Sequence, residues 1–64
     1  MPIPEEIRAR REKRGLTQQQ AADAAGMLQH VWSRLESGGR PNPQIDTLRR
    51  VASVLRCKVE DLIQ

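Results

Sequence analysis

Between Thr17 and Ser37 the sequence TQQQAADAAGMLQHVWSRLES leaves room for little besides two short helices hinged at Gly26. Leu28, Val31, Trp32 and Leu35 recur at i, i+3, i+4 and i+7. That spacing gathers them into one apolar stripe, which needs a neighbour to cover it. Gln29, His30, Ser33, Arg34 and Ser37 fall on the other side, all of them polar hydrogen-bonding side chains and none acidic. Taken alone, this is also the pattern of an ordinary surface helix with a polar outer side. The rest of the chain has to decide.

The flanking segments read as further short helices. Residues 4 to 14 suit a helix with Pro4 in its first turn, Glu5 and Glu6 at the positive end of the dipole, and Lys13 and Arg14 at the other end. Gly15 stops it. Thr17 then caps a second helix, with Gln20 three residues on to complete a capping box, and that helix runs to about Ala25. A third helix is expected from about Leu28 to Ser37, ending at Gly38 and Gly39. Pro41 and Pro43 make GGRPNP a loop. A fourth helix is expected from about Gln44 to Leu55 on the stripe Ile45, Leu48, Val51, Ala52 and Leu55, and a fifth from Val59 to Ile63. No segment alternates as a strand does. The expectation is an all-α fold of five short helices forming one domain over residues 1–64.

Composition narrows what such a domain can do. One cysteine and one histidine exclude an internal disulfide and leave too few ligands for a structural zinc site, so no metal or cofactor is expected. The core must be aliphatic, with Trp32 as the only aromatic residue. No apolar run approaches membrane-spanning length and the N-terminus is unlike a signal peptide, which points to a cytoplasmic protein. There is no Ser/His/Asp set, no glycine-rich phosphate loop and no carboxylate pair suited to a cleft, so no enzyme and no small-molecule substrate are expected. The formal net charge is +3, carried mostly by arginine, and Arg8, Arg10, Arg11, Lys13 and Arg14 crowd the first fourteen residues. Arginine suits bidentate contact with phosphate and guanine. A helix anchored by one face and offering Gln, His, Ser and Arg on the other is what reading a DNA major groove requires, because that groove admits a helix and displays a distinct pattern at each base edge.

The order and spacing of R-x-x-R-G-L-T-Q, A-x-x-A-G, S-R-L-E-S-G, R-P-N-P, I-D-T-L-R-R-V-A-S-V-L and V-E-D-L-I resemble the Cro and phage-repressor (XRE) family of helix-turn-helix regulators, from Ile7 to Ile63. The resemblance implies a compact five-helix, lambda-repressor-like domain, with the helix-turn-helix at helices 2 and 3, about residues 17–37. It also implies operator binding as a homodimer. By position, Gln29, His30, Ser33 and Arg34 match residues that meet base edges. Thr17 and Gln18 match positions that hold phosphate at a helix start, and Arg40 and Asn42 a loop that tracks the DNA backbone or enters the minor groove. Arg11 and Glu36 match an ion pair joining the first helix to the end of the third. Val31 is either a core residue or a thymine-methyl contact. Leu62 and Ile63 are either core or part of a dimer contact.

Departures from the family pattern are as informative. Arg10 stands where an apolar residue is usual, and Ala21 and Ala25 where large aliphatics are. Trp32 replaces the usual Ile or Val, and its indole is expected to fill the room that the alanines leave. Leu28, Gln44 and Lys58 stand at cap positions that commonly hold Ser or Thr, each lost cap costing about 1 kcal/mol. Arg56 replaces the glycine that usually ends the fourth helix. Cys57 is expected as a buried structural thiol.

Two functions fit. The first is a sequence-specific regulator that binds double-stranded DNA as a homodimer on a palindromic operator, acting by occlusion or through contact with RNA polymerase. The second uses the same fold as an adaptor or antitoxin whose main partner is a protein such as a cognate toxin. An adaptor has no reason to keep the outer face of the third helix free of acids.

Overall fold

The computed structural model describes residues 3–38 and 43–63. Four α-helices follow one another: α1 (Pro4–Lys13), α2 (Gln18–Ala25), α3 (Gln29–Ser37) and α4 (Ile45–Leu55). The expected fifth helix is a single 3-10 turn, Val59–Asp61. Asp61 supports its start, accepting the Lys58 amide on Oδ2 at 3.1 Å. Three residues with one such bond do not nucleate an α-helix. Leu62 still turns fully into the core, Ile63 is half-buried, and the Leu62 carbonyl accepts the Ile3 amide at 2.7 Å, tying the two chain ends together.

α3 packs on α1 and α2, and α4 packs on the same two helices. The space among them holds Ile7 from α1, the three alanines Ala21, Ala22 and Ala25 from α2, Trp32 and Leu35 from α3, and the inner face of α4. Trp32 is fully buried in the same cluster as Ala21 and Ala25, as expected of a large side chain opposite small ones. α1 contributes least: beyond Ile7, the only residue it buries is Arg11.

The helix starts differ in quality. α2 begins with a complete capping box: Thr17 Oγ1 accepts the Gln20 amide, and Gln20 Oε1 accepts the Thr17 amide, both at 3.0 Å. Leu28 before α3 and Gln44 before α4 make no side-chain cap. Leu28 is 65% exposed and Ile45 is 52% exposed, so neither belongs to the apolar stripe that its spacing suggested. Both sit where a helix is just beginning, before its inner face has reached the core. The turn between α2 and α3 depends on Gly26 at φ +71°. Arg56 takes the equivalent left-handed conformation after α4 at φ 56°, where a side chain costs roughly 1–2 kcal/mol relative to glycine. Cys57 is half-buried rather than buried; that burial pushes its thiol pKa above the ordinary value, keeping it protonated.

Candidate nucleic-acid interface

α3 is a two-faced element in the structure as in the sequence. Trp32 and Leu35 are sealed in the core while Gln29, His30 and Arg34 are exposed; Ser33 and Val31 are half-buried at the borders. Val31 is thus neither wholly core nor wholly surface. Ser37 turns its hydroxyl back to donate to the Arg34 carbonyl at 3.2 Å, so it closes the helix end.

The inner face owes its position to Glu36. Arg11 grips its carboxylate with two parallel bonds, Nε to Oε2 at 2.5 Å and Nη2 to Oε1 at 3.0 Å. Gln18 Nε2 donates to Oε1 at 3.1 Å, and Trp32 Nε1 donates to Oε2. The Arg11 Nη1 group reaches the Leu16 carbonyl at 2.7 Å, so the guanidinium is fixed as well. The Arg11 and Glu36 side chains are only 10% and 3% exposed. Burial pushes the Glu36 carboxyl toward the neutral form, but the bonds from Arg11, Gln18 and Trp32 outweigh it and hold the pKa below the ordinary carboxylate value. The same hydrogen bonding raises the Arg11 pKa further. One carboxylate therefore joins α1, α2 and α3.

This arrangement changes the reading of Gln18. Its side chain, expected at phosphate, is half-buried and committed to Glu36 through one amide proton; its backbone amide, in the first turn of α2, is among the orphan donors of a helix start. Thr17 uses its oxygen as an acceptor in the capping box. Arg40 and Asn42 lie outside the described residues.

Three contacts were not foreseen. The Trp32–Glu36 bond spans i, i+4 on one helix, so the spacing could have revealed it. Arg14 donates to the Val54 carbonyl, bridging the ends of α1 and α4. Arg8 lines a small trough with Gln18, Ser33, Glu36 and Ser37, which only the crossing of α1 over α3 brings together. Two larger grooves lie elsewhere. One, of about 330 Å³, is lined by Arg10, Lys13, Arg14, Leu55 and Arg56; the other, of about 280 Å³, includes Arg49, Arg50 and Ser53.

A family described as a helix-turn-helix domain matches residues 5–63. Among solved structures, the chain is similar to the crystal structure of the master regulator for biofilm formation SinR in complex with DNA. The two are 30% identical and superpose with a TM-score of 0.90 over 95% of this chain and 100% of that one. No curated protein sequence matches the chain.

Proposed function

From the premise that this chain belongs to the helix-turn-helix domain family, among the XRE-type regulators, we propose that it binds double-stranded DNA sequence-specifically and regulates transcription as a cytoplasmic, non-enzymatic homodimer. The observation that carries this reading is α3 itself. One side is locked by Trp32, Leu35 and Glu36, while Gln29, His30 and Arg34 stand in solvent with no acid among them. The SinR structure, similar in fold and solved with DNA, supports the same reading.

In this scheme α3 enters the major groove. Gln29 pairs with adenine and Arg34 with guanine, each bidentate pair discriminating by about 1–3 kcal/mol. His30 and Ser33 make the remaining base contacts. Thr17 and Gln18 hold phosphate at the start of α2, where unpaired amides and the helix dipole favour an anion. Arg40 and Asn42 follow the sugar-phosphate backbone or the minor groove. Arg11 and Glu36 set the angle at which α3 is offered. Two such domains on a palindromic operator place their recognition helices about 34–36 Å apart.

Selection of binding sites from a random DNA pool, followed by titration of the selected site, tests the proposal. A palindrome is expected, and Arg34→Ala should relax the preference at one base pair per half-site by roughly 5- to 150-fold. If no duplex is enriched and no fragment is bound, the DNA reading fails and the protein-partner function takes its place.

A further inference from the structure

We propose that Arg8, on α1, completes a phosphate seat with Gln18 and Ser33, so that α1 joins α2 and the border of α3 on the DNA backbone. The inference rests on the DNA-binding reading above, adds to it a contact from α1 and moves Ser33 from a base edge to the backbone.

The arginines of α1 and its cap make the case. Arg10 pairs with Glu6 at 3.2 Å, Arg11 with Glu36 and the Leu16 carbonyl, and Arg14 with the Val54 carbonyl. Arg8 alone has no protein acceptor among the described residues, and it forms one wall of the trough shared by α1, α2 and α3. The trough holds about 130 Å³ and opens to solvent, which leaves room for a phosphate group.

Its lining has the chemistry of an oxyanion site. The Arg8 guanidinium offers several donors in a planar fork. The Ser33 hydroxyl has no partner among the described residues, and the Gln18 amide nitrogen keeps one proton beyond the one given to Glu36. Ser37 is turned to the Arg34 carbonyl and acts as a wall. Glu36 is the one acid in the lining, and it does not oppose an incoming anion. Its side chain is 3% exposed, its oxygens accept four hydrogen bonds, and Arg11 balances its charge. The free charge of the trough is therefore that of Arg8. Its other walls are α2's first residue and the outer border of α3, so a phosphate seated there would flank the groove that α3 enters.

The test compares wild type with Arg8→Gln and Arg8→Lys on the selected operator and on a random duplex of equal length, from about 50 to 200 mM salt. Arg8 is exposed, and circular dichroism melting of each variant confirms that the fold is retained. Arg8→Gln should weaken binding to both duplexes by the same factor. Its plot of log affinity against log salt should be shallower by about 0.9, the slope of one lost phosphate contact. The deficit against wild type then shrinks about 3.5-fold across that salt range. Arg8→Lys should restore the slope. An unchanged slope in Arg8→Gln, on a duplex that wild type binds, overturns the seat and leaves the DNA reading standing. A loss confined to the operator also overturns it, because Arg8 would then be reading sequence. If wild type binds neither duplex, both proposals fall together.

Discussion

At its start, α3 has Leu28, which is 65% exposed and caps nothing, followed by Gln29 and His30 in solvent. At its end it has Glu36, buried and bonded to α1, to α2 and to the indole one turn back. The difference teaches where the helix gets its orientation. No side-chain cap holds the start; the turn from α2 does, with the Met27 amide on the Ala22 carbonyl at 2.9 Å and the Leu28 carbonyl accepting the amides of Val31 and Trp32. Gln29 and His30 project from the uncapped end of a helix whose other end is bonded to two neighbouring helices. Such a design leaves Gln29 and His30 free of internal commitments while the angle of approach is set from behind.

The comparison breaks most visibly if the clamped end is removed. Trp32→Ala takes away the largest fully buried side chain and one donor to Glu36. A loss of about 3–5 kcal/mol is expected. A domain of this size has roughly 0.05–0.15 kcal/mol per residue to lose, so chemical denaturation should find the variant largely unfolded. If it melts like wild type, the indole does not organise the core.

Glu36→Gln is the more selective cut. It keeps the shape and leaves the Arg11 guanidinium buried without a counter-charge, which costs up to about 3–5 kcal/mol. Because the retained amide oxygen can still accept, the lower part of that range is expected from urea midpoints at neutral pH. Operator affinity should fall as well, through tilt of α3.

Acid should imitate that cut. The folded-state pKa of Glu36 lies below its ordinary value of 4.5. Its contribution to stability is therefore complete above that value and is lost as pH falls through the lower, folded-state value. The gap in urea midpoint between wild type and Glu36→Gln should narrow below about pH 4.5. A gap that stays constant down to pH 3 would show that the clamp does not favour the carboxylate over the neutral acid.

Working on the uncapped end should have the smallest effect, and of opposite sign. Leu28→Ser supplies the missing cap and removes an exposed leucine, and a gain of about 1 kcal/mol in thermal or urea unfolding is expected. If the variant is instead destabilised, Leu28 supports the helix start in a way its exposure does not suggest, and the contrast between the two ends weakens.

What the sequence made legible was the local part of this design. The Thr17–Gln20 capping box, the stop at Gly26 and the inward Trp32 all depend on residues within one or two turns of each other, and the structure has each of them. Periodicity failed where a stripe ran past a helix end. Leu28 and Ile45 fit the spacing of their stripes, but spacing carries no information on where the core stops. The turn at Val59–Asp61 was over-read as a helix for a related reason: apolar residues at helical intervals do not reveal that only three residues are wound. The Arg11–Glu36 pair came from family resemblance and not from the chain's own pattern. The trough beside Arg8 could not be read at all, since it depends on how α1 crosses α3, and the expected backbone contacts at Arg40 and Asn42 lie outside the described residues.

The bond from the Trp32 indole to Glu36 has one more consequence. The only strong fluorophore of the chain sits dry in the core, attached to the group that fixes the recognition helix. Its emission therefore reports on that attachment without a label: a red shift marks water arriving at the indole, and a change in intensity at constant wavelength marks altered contacts around an indole that stays dry. Loosening of the clamp and global unfolding become separable in a single cuvette.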